Sequence, residues 1–328
     1  MGATRPKGGV GIVGLGIMGG AFAANLVADG WRVLGYDIDP ARRRALAKAG
    51  VEMAADAKQL AGAVRTIITS LPDPAALAQT VAAIVGADVR PLVVVDAGTF
   101  ALADKLAAAR ALAAAGHVML DCPISGTGAQ AKSRDIVVYA SGDRKVIKRL
   151  RPLFAGFARA AHDLGALGNG SRMKYVANLL VAINNVATAE AMVLGIKAGL
   201  APQVIHDMVT SGAGNSRIFE LRAPMMVRNR YDDATMKVAT WQKDMQVIGD
   251  FARALACPTP LFSATRPIYD AALASGHGAD DTASVCAVLE AKAGVKRGRE
   301  AKKAGRKQIA RKISQRRGNA NFGGAKGD

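Results

Sequence analysis

Cysteine is scarce in this chain, with three residues, Cys122, Cys257 and Cys286, spread over 328 positions. That number and spacing offer no disulfide framework and no thiolate set for a metal. Cys122 reads as a small buried residue. Histidine is also sparse. His117, His162, His206 and His277 share no ligand spacing and stand beside no Ser or Cys in a catalytic pattern, so they are assigned to structure and no metal is expected. Aromatic residues make up only 5% of the chain, whereas alanine is abundant, which suits closely packed helices. No apolar stretch is read as long and pure enough for a membrane span. The first seven residues are too short and polar for a signal peptide. Met1-Gly2 does not begin a myristoylation signal, because Pro6 stands where Ser or Thr is required. These absences together set the expectation of a cytoplasmic protein.

Acidic residues are outnumbered, and the deficit is local. The formal net charge is +18, but residues 292–328 alone hold thirteen Lys and Arg against two acidic groups. That segment has almost no apolar side chains and cannot bury enough surface to offset its ordering entropy. Residues 291–328 are therefore expected to form a basic, disordered tail. A weak, salt-sensitive nucleic-acid contact is the most it offers, since it lacks aromatics for stacking.

Half of the residues are hydrophobic and the length suits two domains. The chain is organised around Gly14-Leu15-Gly16-Ile17-Met18-Gly19. A short apolar run, Val10-Gly11-Ile12-Val13, precedes it. A helical pattern with Met18, Phe22 and Leu26 one turn apart follows. A GxGxxG between a strand and a helix points to a dinucleotide: Gly14 for the tight turn, Gly16 for close approach of a pyrophosphate, Gly19 for helix packing. The next apolar run, Val33-Leu34-Gly35-Tyr36, ends at Asp37, 18 residues after Gly19. An acid there can accept hydrogen bonds from the adenosine ribose and would repel a 2′-phosphate, so NAD is expected over NADP. Arg42, Arg43 and Arg44 lie close by and soften that preference.

Further strands are expected at Thr66–Thr69, Leu92–Asp96, His117–Leu120 and Ile136–Ala140, with a last one before Leu164, and helices between them. This alternation predicts an α/β domain, a doubly wound parallel sheet, over residues 8–168. Ser70-Leu71-Pro72-Asp73-Pro74 follows one strand and forms a shaped loop at its carboxyl end, where ligands bind in such sheets. From residue 169 to 290 only helical periods appear, which predicts an all-α second domain. It is built on one long interdomain helix, Ser171–Ala198, of about 42 Å. That helix is apolar on almost every side and is expected to be buried. It carries Lys174 and Asn178 on one face. Burial would lower the lysine pKa toward a range useful for acid–base work. The alternative is a lysine that snorkels to water from the first turn.

These motifs, in this order, resemble the β-hydroxyacid dehydrogenase family over residues 8 to about 290. The matching stretches are the turn at 14–19, Asp121-Cys122-Pro123-Ile124-Ser125-Gly126, the run Gly165-Ala166-Leu167-Gly168-Asn169-Gly170-Ser171-Arg172-Met173-Lys174-Tyr175-Val176-Ala177-Asn178, and Lys243-Asp244. The resemblance implies a Rossmann domain and hydride transfer between NAD and a small hydroxyacid: 3-hydroxyisobutyrate, tartronate semialdehyde or glycerate, or a sugar acid such as threonate. It implies Lys174 as general acid/base and Asn178 as its positioning partner. It implies that Ser125, Gly126 and Thr127 bind the substrate carboxylate end. Leu71, Pro72, Thr99 and Lys243 would flank the nicotinamide, and Gly14, Leu15, Gly16, Ile17, Met18, Gly19 and Asp37 would hold the rest of the cofactor. A homodimer or homotetramer is expected.

The chain also departs from the pattern. Thr127 and Arg134 stand where glycines are usual, Cys122 where alanine is, Gly98 where serine is, and Arg217 where tryptophan is common. The stretch around Arg217 resembles the sugar-acid branch. It assigns Arg217 to an anionic or polyhydroxylated substrate, with a salt bridge to Glu220 as the alternative. Two other readings stand beside the dehydrogenase: a non-enzymatic binder of nucleic acid or chromatin acting through the basic tail, and an imine reductase, against which Lys174 argues.

Overall fold

The computed structural model of the chain describes residues 7–297; most of the expected tail therefore lies outside the described residues. The chain divides into two compact units. One holds the residues up to Leu180 together with Lys243–Thr259, and the other holds Val181–Gln242 and the residues from Pro260 onward. The boundary thus falls inside the long helix.

The first unit is built on a six-stranded parallel sheet of β1 (Gly9–Val13), β2 (Arg32–Tyr36), β3 (Glu52–Met53), β4 (Thr66–Thr69), β5 (Val93–Asp96) and β6 (Val118–Asp121). The strand order is β3-β2-β1-β4-β5-β6, the doubly wound arrangement of dinucleotide-binding folds. Successive side chains alternate between two cores. Ile12, Ile68, Val93, Val95 and Leu120 face one side with Phe22, Phe154 and Phe157. Val13, Ile67, Val94 and Met119 face the other with Leu60, Leu77 and Leu112. The strands are apolar on both faces because helices cover both. Several of those helices start where an aspartate can cap their free N–H groups: Asp39, Asp56, Asp73 and Asp143 each accept such a bond.

A second, three-stranded sheet, β7 (Ile124–Ser125), β8 (Val137–Ala140) and β9 (Ala160–Asp163), departs from the single alternating pattern. Here β7 runs antiparallel to β8. Only Cys122 and Pro123 separate β6 from β7, so the chain passes directly from the first sheet into the second.

The second unit is helical among its described residues. It comprises Pro202–Ser211, Arg217–Arg228, Pro260–Ala274 and Val285–Lys292, together with the later part of Asn169–Lys197 and the start of Val238–Ala254. Its centre is held by Arg222, which pairs with the buried Asp281 at 2.6 Å. Asp281 also accepts the N–H groups of Thr235, Met236 and Ala283. The Arg297 guanidinium pairs with Glu290 and donates to the Val227 carbonyl.

Two expectations about the long helix need correction. Asn169–Lys197 has an 18-residue window of mean hydropathy 1.7, so by length and composition it does reach a membrane span. Its buried stripe nevertheless contains Asn178, Asn185 and Thr188, each hydrogen-bonded within the protein. That is the signature of a helix packed on protein. The helix is also not buried all round. Val176, Leu180 and Leu194 are 52%, 53% and 73% exposed. Its partners in one chain cover a single stripe, and the opposite apolar stripe faces outward.

Candidate active site

The carboxyl ends of β1, β2 and β4 are drawn together at the glycine-rich turn. The Gly14 N–H donates to the Tyr36 carbonyl at 2.8 Å, and the Ser70 N–H donates to the Val13 carbonyl at 2.9 Å. The three glycines do different work. At Gly14, φ is +90° and a Cβ would lie 2.3 Å from the Ser70 oxygen; at Gly19 it would lie 1.9 Å from the Gly14 oxygen. These two are required by the protein's own packing. At Gly16 a Cβ would meet, among the described residues beyond its chain neighbours, only the Arg42 guanidinium within 4 Å, at 3.7 Å. The helix Ile17–Ala28 begins there with no side-chain cap and no acidic residue in its first turn. Open space before an uncapped helix N-terminus suits a pyrophosphate, which would meet N–H donors and the positive end of the dipole.

Asp37 is buried at the end of β2. Its carboxylate accepts the Leu15 N–H at 2.7 Å and the Asp39 N–H at 2.8 Å, and Arg42 approaches it to 3.4 Å. The Leu15 N–H is therefore engaged within the chain. Arg42 also pairs with Asp39 at 3.4 Å.

Lys174 lies on the second turn of Asn169–Lys197 and donates from Nζ to the Ile124 carbonyl at 2.6 Å. It does not snorkel. Burial pulls its ammonium below the ordinary lysine range; Asp244 opposes this and the like charge of Lys243 adds to it. Asn178, one turn on and buried, donates to Asp244 Oδ2 at 2.9 Å. Asp244 Oδ1 in turn pairs with Lys243 at 2.9 Å. Lys243 donates to the Thr99 carbonyl and sits 5.3 Å from the centre of the Phe100 ring. A continuous polar chain thus runs from Asn178 to the loop after β5, within the unit that carries the glycine-rich turn.

Comparison with known proteins agrees with this geometry. The model described as the NAD binding domain of 6-phosphogluconate dehydrogenase matches residues 9–168. That described as the NAD-binding region of NADP-dependent 3-hydroxyisobutyrate dehydrogenase matches residues 168–289. An L-threonate dehydrogenase of Cupriavidus necator is 31% identical over 287 residues, covering 85% of this chain and 95% of the relative. One from Escherichia coli is 33% identical over 285 residues, covering 85% and 94%. A 3-hydroxyisobutyrate dehydrogenase structure from Salmonella typhimurium is 32% identical with a TM-score of 0.78, covering 86% of this chain and all of that one. The chain belongs to the β-hydroxyacid dehydrogenase family.

It is an NAD(P)-dependent hydroxyacid dehydrogenase, which sets aside the non-enzymatic and imine-reductase readings. In this dehydrogenase, Ser125 closes β7 and its hydroxyl meets no partner among the described residues. Gly126 follows at φ +138°, where a Cβ would strike Ile136 at 2.6 Å. Thr127 caps the helix Gly128–Lys132, and its hydroxyl is engaged with Gln130. Arg134 fills its glycine position at φ +60° and donates to the Asn25 carbonyl. Leu71 and Pro72 lie in the loop beside Gly14, and Leu71 packs near that glycine. Ile17 is exposed and lies against Gly128. Met18 packs on the first core. Arg217 lies in the helical unit, where it pairs with Glu220 at 2.9 Å.

Sequence reasoning missed a buried ionic cluster in the dehydrogenase. Lys105 sits between Asp96 at 2.9 Å and Asp121 at 2.6 Å, all three out of contact with solvent. Burial works against its charge, but the two carboxylates outweigh that and raise its pKa above the ordinary lysine value. The available signal was an aspartate at the end of each of two adjacent apolar strands, β5 and β6.

Proposed function

We infer that the enzyme interconverts a small hydroxyacid and its carbonyl form with Lys174 as general acid/base, and that the substrate is a polyhydroxylated acid of the threonate type. The observation that carries the catalytic role is the placement of Lys174 Nζ on the Ile124 carbonyl, next to the Asn178–Asp244–Lys243 chain. One N–H bonded to that carbonyl orients the neutral amine and leaves its lone pair for a substrate hydroxyl. In oxidation the amine takes the hydroxyl proton; in reduction the ammonium returns it and stabilises the developing alkoxide. When bound, the nicotinamide accepts or supplies the hydride. Asn178, fixed by Asp244, keeps its amide oxygen for the substrate or the lysine. The Ser125 hydroxyl and the Gly126 N–H take the carboxylate. The L-threonate dehydrogenase relatives support the substrate class, and Arg217 is assigned to reading the extra hydroxyls or the acid.

NAD is the cofactor assigned here. The buried Asp37 carboxylate supports it, because a 2′-phosphate would meet that charge, while Arg42 is already shared between Asp37 and Asp39. Leu71, Pro72, Thr99 and Lys243 are assigned to the nicotinamide end. The enzyme is assigned to the cytoplasm and to a homodimer or homotetramer; the outward stripe with Leu180 and Leu194 supports pairing with a second copy. The basic residues of 292–328 support a weak contact with nucleic acid, to be read as a duplex-DNA mobility shift that disappears when the segment is removed.

The test is a screen of hydroxyacids with NAD and with NADP, followed at the nicotinamide absorbance. The expected result is the highest kcat/KM with L-threonate or another sugar acid and NAD. A highest value with 3-hydroxyisobutyrate would overturn the substrate assignment. An Arg217→Ala variant with unchanged KM for that acid would remove Arg217 from it.

A further inference from the structure

Lys174 is held from two directions, and both lead back to Asp121. Through space, the Asp121 carboxylate grips the start of the lysine helix. Oδ2 accepts the Ser171 N–H at 2.7 Å and Oδ1 accepts the Ser171 hydroxyl at 2.9 Å. Ser171 is three residues before Lys174, one helical turn away. Along the chain, Asp121 is three residues before Ile124, whose carbonyl takes the lysine amine at 2.6 Å. The four residues close a ring: carboxylate to helix start, one turn to the amine, amine to carbonyl, three residues back to the carboxylate.

The ring is tightly enclosed. Asp121 and Ser141 exchange backbone hydrogen bonds at 3.0 and 2.9 Å. The Ser141 hydroxyl accepts the Gly170 N–H at 2.9 Å and donates to the Asp121 carbonyl at 3.1 Å. A Cβ at Gly170 would lie 2.4 Å from the Tyr139 oxygen and 2.6 Å from that of Asp121, so the helix start sits directly on the backbone of β6 and β8. In this dry place Asp121 pairs with Lys105 at 2.6 Å and faces the free N–H groups of the helix it caps.

We propose that Asp121 is a positioning residue, which sets the place of the Lys174 amine by clamping Ser171 at the start of its helix, with Lys105 as its buried counterion. This rests on Lys174 being the acid/base. A carboxylate buried only for stability would not need its ligands on the catalytic helix. Displacing an acid/base by about 1 Å costs on the order of a hundredfold in rate.

The readout that separates positioning from plain stability is the titration of Lys174 itself in the cofactor-free enzyme. It is followed by NMR of [ε-13C]lysine-labelled protein, with Lys174→Arg to assign the signal. The charged groups acting on the amine are Asp244 and Lys243, both on Val238–Ala254. They are untouched in Asp121→Asn and Ser171→Ala. Released from its place, the amine gains water, and its midpoint rises toward that of exposed lysines. Both folded variants are expected to show that rise, a kcat at least tenfold lower and a nucleotide affinity within about twofold of the parent; Ser171→Thr is expected to restore the midpoint. If Asp121→Asn does not fold, Ser171→Ala decides alone. A folded Ser171→Ala enzyme with the parent's Lys174 midpoint and kcat overturns the proposal. Full activity in Lys174→Ala would instead overturn the acid/base reading, which the NMR midpoint does not depend on.

Discussion

Lys174 and Ile124, fifty residues apart, are joined by a hydrogen bond of 2.6 Å from the amine to the carbonyl. The bond keeps a partly buried amine aimed and away from bulk water. Its consequence is a pH dependence of definite sign. Only the neutral amine can take a proton, so with Lys174 as the acid/base the oxidation rate should rise with pH through its midpoint, which lies below the ordinary lysine range. Reduction would need the ammonium and should fall through the same midpoint. Lys243 pushes that midpoint down, so Lys243→Met should move the rising limb of kcat/KM for oxidation to higher pH. A limb that stays in place would show that another group titrates.

Gly16 and Gly19 should respond differently to the same added methyl group. Gly19→Ala forces a Cβ to 1.9 Å from the Gly14 oxygen and should lower Tm sharply. Gly16 has φ −66° and open space before it. Gly16→Ala should therefore stay within about 1 kcal/mol of the parent's stability, the ordinary cost of alanine at a helix cap. It should weaken nucleotide binding by about tenfold or more, because the methyl occupies the path of the pyrophosphate. Calorimetric melting and titration with nucleotide, measured on both variants, separate the two roles. Equal nucleotide affinity in Gly16→Ala would contradict the assignment of that space.

Cofactor choice should turn on Asp37. In Asp37→Asn the side-chain oxygen still accepts the Leu15 N–H, but the charge that opposes a 2′-phosphate is gone. The ratio of NADP to NAD dissociation constants should fall by about tenfold, corresponding to about 1.4 kcal/mol. An unchanged ratio, measured by fluorescence titration, would move the discrimination elsewhere.

Lys105→Met leaves Asp96 and Asp121 buried without their cation. Breaking such a pair from one side costs about 3–5 kcal/mol, which denaturant titration reads directly. The folded pKa of Lys105 lies above its unfolded value. Its contribution is therefore complete below about pH 10 and is lost only as pH rises through the folded value. The loss in Lys105→Met should thus be the same at about pH 6 and pH 8.

The parts of the fold that could be read from sequence are those with a strong local pattern. An apolar run, a glycine turn and a helical period were enough to place β1, the turn and Ile17–Ala28. Two strands carried no such pattern: β3 (Glu52–Met53) is a two-residue edge, and β7 (Ile124–Ser125) hides inside a loop motif and pairs with residues a dozen positions on. Lys105 was illegible for another reason. A lysine in an alanine-rich helix reads as solvated, and its partners lie 9 and 16 residues away on different strands. The place of Asp37 at the end of β2 could be read from its spacing, whereas its grip on the Leu15 N–H belongs to tertiary structure. The long helix showed its hydrophobicity but not which side is covered.

The central claim is that the amine of Lys174 moves the proton, and one measurement addresses it most directly: kcat/KM of Lys174→Ala on the preferred hydroxyacid at saturating nucleotide. The account predicts a fall of about a hundred- to ten-thousandfold, with nucleotide affinity and Tm close to the parent enzyme. Turnover equal to the parent's, in a folded variant that binds nucleotide, would contradict it.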